Sequence, residues 1–136
     1  MTGPAPSHAR TGPLLLVEDD ESLRRIVARH LRSRGYEVEE AASAEAAVQL
    51  VGDGLRPSLV LLDLNLPGET GWDLLRGWAP SVPGSPPVVI TSATTVSPKR
   101  LAEFHIAGYL PKPFPLETLV ATVERVTSRE GSTPTP

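Results

Sequence analysis

Short apolar runs recur along the chain and predict buried strands. The runs are Leu14–Val17, Leu59–Leu62 and Val88–Ile90, together with an alternating segment, Tyr36–Glu39, and a short run, Gly108–Leu110. Each of the first three is apolar at successive positions, which is typical of a parallel sheet that helices cover on both faces. The alternation of the Tyr36–Glu39 segment indicates an edge strand instead.

Segments with helical periodicity lie between these runs. Their apolar residues repeat at intervals of three and four, and we expect the following to face a core: Leu23, Ile26, Val27 and Leu31; Ala47, Val48 and Val51; Trp72, Leu75 and Trp78; Leu101 and Phe104; Leu116, Leu119, Val120, Val123 and Val126. Ser43 and the Ser97–Pro98 pair are typical helix starts. Five strand–helix units with right-handed crossovers predict a doubly wound α/β sandwich of three layers around a five-stranded parallel sheet.

Composition favours one folded domain with a polar segment at each end. Of the 136 residues, 14–127 carry the periodicity, whereas 1–13 and 128–136 are rich in Pro, Gly, Ser and Thr and are predicted to be disordered. The net charge of −3 argues against non-specific nucleic-acid binding, and the lack of cysteine excludes disulfides and thiolate metal sites. No apolar run is long enough to span a membrane and no secretory signal is visible, so we expect a cytoplasmic protein.

Charged and polar side chains occur where the predicted strands end. Glu18 and Asp19 follow the first strand, Asp63 ends the third, Ser92 ends the fourth and Lys112 follows the fifth. The carboxyl ends of parallel strands meet at one edge of a sheet, so we expect one shared cleft. Three carboxylates about 5 Å apart repel by roughly 3 kcal/mol per pair at an effective dielectric constant near 20, so either a proton or a dication must neutralise them. Oxygen ligands without Cys or converging His favour Mg²⁺ or Mn²⁺ over zinc.

Four motifs, in order and with ordinary spacing, resemble the receiver domain of bacterial response regulators. They are LLLVEDDESLRRIV, LVLLDLNLPGETGWDLL, PVVITSA and GYLPKPF, and the resemblance covers essentially all of residues 14–127. It implies the flavodoxin-like strand order 2-1-3-4-5 and a phosphorelay in which a histidine kinase or a phosphotransfer protein is the donor. Because only nine residues follow Thr127, we expect a stand-alone receiver that acts on a downstream protein target, without direct contact to nucleic acid or membrane.

The resemblance also implies which residues form the phosphorylation site. Asp63 would be the phosphoacceptor, since carboxylates can act as nucleophiles that form acyl phosphates. Glu18 and Asp19 would bind Mg²⁺ together with Asp63 and the backbone carbonyl of Asn65. Phosphoryl transfer depends mainly on positioning and charge neutralisation, so these residues need no additional general base.

The same resemblance implies three further residues that would bind the phosphoryl group or act in the switch. Lys112 and the Ser92 hydroxyl would bind phosphoryl oxygens, and Tyr109 would be the aromatic switch. The Lys112–Pro113 peptide would be cis, an uncommon geometry that directs the lysine into the cleft.

The spacing departs from the family's pattern before the fifth strand. From Ser92 to Lys112 there are 20 positions, slightly fewer than usual, and the typical Gly-Ala pair falls on His105–Ile106. We therefore expect a shortened or irregular fourth helix, because the left-handed glycine that normally ends it is missing. The fourth helix, fifth strand and fifth helix form the family's usual output face, so this departure bears on a homodimer formed through that face and not on the phosphorylation site.

Two other functions remain open at this point. A haloacid-dehalogenase-type phosphatase also uses an Asp nucleophile with Mg²⁺, but it requires a second Asp where this chain has Asn65. A receiver-like binding module that is never phosphorylated is the other alternative. The presence of Glu18, Asp19, Asp63, Ser92 and Lys112 argues against it. In both the receiver and the binding module, the chain would be a signalling domain rather than an enzyme.

Overall fold

The computed structural model describes residues 12–67, 71–78 and 85–131, with the backbone alone for Trp78 and residues 129–131. Strands and helices alternate in the order β1 Leu14–Val17, α1 Glu21–Ser33, β2 Val38–Ala41, α2 Ala44–Gly52, β3 Leu59–Asp63, α3 Gly71–Trp78, β4 Val88–Ser92, α4 Pro98–Glu103, β5 Gly108–Pro111 and α5 Leu116–Gly131. The strands form one parallel sheet in the order β2-β1-β3-β4-β5, which confirms the predicted fold class. Within the described ranges, every helix is too short or too polar to cross a membrane.

Two apolar cores lie on opposite faces of the sheet. Leu14 and Leu16 of β1 pack with α1 and α5, whereas Leu15 and Val17 pack with α2, α3 and α4. Successive side chains of a strand point to opposite faces, so each strand contributes to both cores. All residues of β1, β3 and β4 are buried, which explains why these strands have continuous apolar runs in the sequence.

The second strand begins two residues later than predicted. The prediction placed it at Tyr36–Glu39, but β2 is Val38–Ala41, and Tyr36 is buried before it in the core formed with α1 and α5. The bounds follow from pairing with β1, since Leu14 is opposite Val38. The polar alternation in the sequence therefore marked the right region but the wrong register. β2 is nevertheless an edge strand, as predicted.

Two predicted core positions on the helices are wrong. Ile26 of α1 is 53% exposed and Val48 of α2 is 47% exposed. A helix that packs on a sheet buries only one stripe, and in these helices the stripe runs through residues such as Val27 and Ala47. The prediction for α5 is confirmed at Leu119, Val120, Val123 and Val126, which are buried. Other predicted core residues are only partly buried, and these are Leu23, Val51, Trp72, Leu101, Phe104 and Leu116. The side chain of Trp78 lies outside the described part of the chain.

The fourth helix is short, as the departure in spacing predicts. It has six residues, Pro98–Glu103, and the Ser97 side chain caps its first turn. His105 follows it with φ at 56°, in the left-handed region that usually requires glycine. The N–H of Ile106 then donates to the carbonyl of Leu101, so the helix end is closed without a glycine.

The described structure reaches slightly beyond residues 14–127 at both ends. α5 continues to Gly131, past the predicted last folded residue Thr127, because an existing helix gains one hydrogen bond for each residue added. At the other end, the Ser58 hydroxyl donates to the Gly12 carbonyl at 2.9 Å and the Ser58 N–H donates to the Pro13 carbonyl at 2.9 Å. The rest of the predicted disordered segments, 1–11 and 132–136, lies outside the described residues.

Candidate functional site

The carboxylates of Glu18, Asp19 and Asp63 meet at the carboxyl edge of the sheet. One oxygen of each lies within 4.8 Å of the others. Strand register explains this proximity, because Val17 of β1 is opposite Leu62 of β3, so the next residues of both strands are neighbours. The three acids converge as the sequence analysis expects.

These acids differ in their exposure to solvent. Glu18 and Asp63 are 4% and 2% exposed, whereas Asp19 is exposed. Asp63 Oδ1 accepts a hydrogen bond from the Asn65 N–H at 2.9 Å, and Glu18 Oε2 accepts one from the Asp20 N–H at 3.1 Å. The cluster therefore has two fixed, buried carboxylates and opens to water at Asp19. This arrangement suits a hard cation that keeps part of its hydration shell.

Lys112 contacts both buried carboxylates. Its Nζ donates to Glu18 Oε1 at 2.9 Å and lies 3.4 Å from Asp63 Oδ2. Its own N–H donates to the Ser92 carbonyl at 2.8 Å, which aligns the end of β5 with the end of β4. The Lys112–Pro113 peptide is cis, as the resemblance implies.

Burial and charge shift the ionisation of this cluster. Desolvation raises the pKa of the Glu18 carboxyl, although the hydrogen bonds from Lys112 and from the Asp20 N–H oppose it, and the Asp63 charge adds to the rise. Burial by itself would lower the pKa of the Lys112 ammonium, but the hydrogen bond to Glu18 and the charges of Glu18 and Asp63 outweigh that effect and raise it. One ammonium among three carboxylates leaves a negative site that a proton or a dication would neutralise.

The Ser92 hydroxyl bonds to the loop that follows β4. Ser92 is buried, and its Oγ accepts the Thr94 N–H at 3.0 Å and lies 3.1 Å from Asn65 Oδ1, to which it donates. Asn65 Oδ1 also accepts the Ala93 N–H at 2.9 Å. That the Asn65 side chain connects the loop after β3 to the loop after β4 was not predicted from the sequence.

Tyr109 contacts the same loop from β5. Its hydroxyl donates to the Thr94 carbonyl at 3.3 Å, and its half-buried ring packs against the core on the α2–α4 side of the sheet. Ser92 and Tyr109 are therefore joined through the backbone and side chain of Thr94. A movement of either residue would therefore displace Thr94 and, through it, the other residue. The role of Tyr109 as a switch stays a prediction.

A groove of about 550 Å³ lies next to these loops. Asn65, Trp72, Thr94 and Arg100 are among its lining residues. The Arg100 guanidinium carbon lies 4.3 Å from the centre of the Trp72 ring, and the Trp72 and Phe104 ring centres are 4.9 Å apart. This contact between α3 and α4 was not predicted, because a lone Arg in a short helix gives no sequence signal for stacking on an aromatic residue.

Comparison with known proteins identifies the class that this fold and site define. The model of the family described as the response regulator receiver domain matches residues 14–124, so the chain belongs to that family. Receiver domains are signalling domains of two-component systems; they take phosphoryl groups from histidine kinases, bind Mg²⁺ at an acidic pocket and act on downstream targets.

The chain is also similar to individual members. Response regulator MprA of Mycobacterium sp. (strain KMS) is 34% identical over 118 residues, which are 85% of this chain and 50% of that protein, so the chain spans about half the length of this relative. The chemotaxis protein CheY4 of Vibrio cholerae is 30% identical with a TM-score of 0.74, over 85% of this chain and 98% of that one. TrrA of Thermotoga maritima, solved in complex with Mg²⁺ and BeF, has the same fold at 23% identity, with a TM-score of 0.72 and coverage of 85% and 98%.

Proposed function

We propose that this chain accepts a phosphoryl group on Asp63 in a Mg²⁺-dependent phosphorelay. The observation that carries the proposal is the position of the Asp63 carboxylate, which is buried at the end of β3, 3.4 Å from the Lys112 ammonium and beside two further carboxylates. The Lys112 ammonium, together with a dication held by the three carboxylates, would offset the repulsion between Asp63 and an incoming phosphoryl group.

The residues of the acidic cluster fit a magnesium ion. Glu18, Asp19 and Asp63 supply oxygen ligands only, and we place the backbone carbonyl of Asn65 in the same ligand set. The exposed position of Asp19 leaves room for water and phosphoryl oxygens among the ligands. When bound, the ion would supply positive charge to neutralise the phosphoryl oxygens.

The chemical step joins the Asp63 carboxylate to the phosphoryl group of a phosphohistidine donor, and a bound Mg²⁺ ion would neutralise the charge of that group. A carboxylate oxygen attacks phosphorus, the new O–P bond forms as the P–N bond breaks, and the electron pair of that bond stays on the donor imidazole. Asp63 is the nucleophile in its ionised form, so no residue has to remove a proton from it. Lys112 contacts the same carboxylate and is placed to bind a phosphoryl oxygen.

Phosphorylation would then change the loop after β4. A phosphoryl oxygen on Asp63 offers the Ser92 hydroxyl a charged acceptor in place of Asn65 and Thr94. Tyr109 bonds to the Thr94 carbonyl, so a shift of this loop changes the surface around α4 and β5. We describe this as a population shift between two states, read by a downstream protein target.

The donor would be a histidine kinase or a phosphotransfer protein, as the family implies. The phosphatase alternative loses support because the side chain of Asn65, where that chemistry requires an acid, bonds instead to the Ala93 N–H and the Ser92 hydroxyl.

Intact-mass spectrometry after treatment with acetyl phosphate or phosphoramidate tests the proposal. We expect one added phosphoryl group in the presence of Mg²⁺ and almost none in its absence. Asp63→Asn should abolish the addition, whereas Asp53→Asn, which removes an exposed carboxylate at the end of α2, should leave it unchanged. Equal labelling of Asp63→Asn would contradict the assignment. Turnover of a phosphomonoester without a phosphoprotein would support the phosphatase instead, and Mg²⁺ binding without labelling would support the unphosphorylated module.

A further inference from the structure

Arg24 joins the acidic cluster to the edge strand of the sheet. Its Nη1 donates to the backbone carbonyl of Glu18 at 3.1 Å, and its Nε donates to Glu40 Oε1 at 3.1 Å. The side chains of Arg24 and Glu40 are 15% and 26% exposed, so the ion pair between α1 and β2 is largely shielded from water. A shielded ion pair with a hydrogen bond constrains geometry more strongly than an exposed one.

Glu40 is itself fixed by a second arginine. Arg32 Nη1 lies 3.2 Å from Glu40 Oε2, and Arg32 Nη2 donates to the Val38 carbonyl at 2.7 Å. Both carboxylate oxygens of Glu40 therefore have an arginine partner, and one of these arginines also bonds to the backbone of β2. Arg24 is thus bonded to an anchor whose own position is fixed by α1 and β2.

The atom that Arg24 contacts belongs to the peptide between Glu18 and Asp19. Glu18 directly follows β1, and its N–H donates to the Ala41 carbonyl of β2 at 3.0 Å, so the backbone still pairs with the neighbouring strand at this residue. Its carbonyl is the acceptor for Arg24. The orientation of this peptide plane sets the directions in which the Glu18 and Asp19 side chains leave the backbone.

We propose that Arg24 is a positioning residue for the divalent-cation site. It acts through the Glu18–Asp19 peptide, which it holds in the orientation that brings both carboxylates toward Asp63. The inference rests on the proposed Mg²⁺ site and goes beyond it by assigning a residue that contacts neither the ion nor the phosphoryl group. A guanidinium can bridge a carbonyl and a carboxylate from one rigid plane, whereas a lysine ammonium at the end of a flexible chain cannot keep the same geometry.

The direction in which substitution of Arg24 changes the Mg²⁺ affinity distinguishes a positioning role from a purely electrostatic effect of its charge. A positive charge near the site repels a cation, so a pure charge effect predicts tighter Mg²⁺ binding by Arg24→Met and no change in Arg24→Lys. A positioning role predicts weaker binding in both variants. Changes to residues that orient metal ligands commonly weaken affinity 10- to 100-fold, and we expect roughly tenfold for Arg24→Lys.

The experiment is a Mg²⁺ titration of the whole chain, followed by NMR, with thermal unfolding in metal-free buffer as a second measurement. Arg25→Lys and Arg25→Met are the matched controls, because Arg25 is the neighbouring residue, is exposed and pairs only with Glu21 at 2.9 Å among the described ion pairs. We expect their Kd for Mg²⁺ to stay within about twofold of the wild type. Glu40→Gln should weaken binding less than Arg24→Lys, because it loosens the anchor but leaves the arginine in place.

Each result supports or overturns the inference. Weaker Mg²⁺ binding by Arg24→Lys with unchanged Arg25 variants supports it. A lower Tm with unchanged Mg²⁺ affinity assigns Arg24 a purely structural role and overturns it, as does tighter binding by Arg24→Met. If Arg24→Met does not fold, Arg24→Lys decides. If the wild type does not bind Mg²⁺, the proposed metal site fails together with this inference; wild-type binding with an unaffected Arg24→Lys refutes the inference alone.

Discussion

The acidic edge of the sheet and the segment from β4 to α4 lie side by side, yet different interactions fix them. Glu18 and Asp63 extend from fully buried strands, and Lys112 contacts both. The β4–α4 segment depends on local hydrogen bonds around Ser92, and none of the described residues of α4 is buried. Segments with few buried contacts open at lower free-energy cost than the core. We therefore expect the proposed phosphoryl transfer to take place in the rigid region and the proposed conformational change in the loosely packed one.

Removal of the Lys112 charge, at the rigid acidic edge, should have the largest effect on stability and on phosphorylation. Lys112→Met leaves Glu18 and Asp63 buried without their positively charged partner. We expect the free energy of unfolding in metal-free buffer to fall by an amount on the order of 3 kcal/mol, and phosphorylation to decrease strongly. Lys99→Met, at an exposed position of α4, is the control and should change neither quantity. Denaturant unfolding and mass spectrometry measure the two effects. A stability equal to the wild type would show that the acids carry less charge than we infer.

A second test of the acidic edge is the pH dependence of the protein's stability in metal-free buffer. The pKa of Glu18 is raised above its ordinary value of 4.5 by burial, so the folded state binds this proton more tightly than the unfolded state does. The contribution of Glu18 is therefore most favourable below that value and is lost as pH rises through the raised pKa. Unfolding by denaturant in a pH series should show this decline in the wild type and a flatter profile in Glu18→Gln. An identical decline in both would assign it to another group.

A smaller effect is expected on the loosely packed side. Ser92→Ala removes a hydrogen-bond partner from the Asn65 side chain and from the Thr94 N–H. We expect this to lower the free energy of unfolding by about 1 kcal/mol. Mg²⁺ affinity should stay unchanged, because the described contacts of the Ser92 hydroxyl do not include the three acids. Ser97→Ala, which removes the α4 cap, is the matched loss of one hydroxyl and should cost a similar amount. A large change in Mg²⁺ affinity for Ser92→Ala would break the proposed separation of the two regions.

The smallest effect concerns the end of α4. His105 has a φ of 56°, where a side chain is strained and glycine is not. We expect His105→Gly to stabilise the protein by about 0.5 kcal/mol, since the greater freedom of glycine in the unfolded chain cancels part of the gain. Ala102→Gly, inside the same helix, should instead destabilise by about 1 kcal/mol. Thermal unfolding compares them, and a destabilised His105→Gly would mean that the histidine side chain contributes contacts of its own.

The sequence by itself determined the fold class and the members of the acidic cluster. Three continuous apolar runs predicted buried parallel strands, and a charged or polar residue at each strand end predicted a common cleft, because parallel strands bring their carboxyl ends to one edge. The short α4 also followed from the sequence, because only 20 positions separate Ser92 from Lys112.

Only the tertiary structure decided the register of β2, the exposure of Ile26 and the contacts that link the site to its surroundings. Periodicity reports that a residue is apolar, but the width of the buried stripe depends on how a helix crosses the sheet. The contact of Arg24 with Glu18 and Glu40 joins residues of α1, of β2 and of the loop after β1. Long polar side chains reach several alternative partners, and the packing of the backbone determines which of them lies within hydrogen-bond distance.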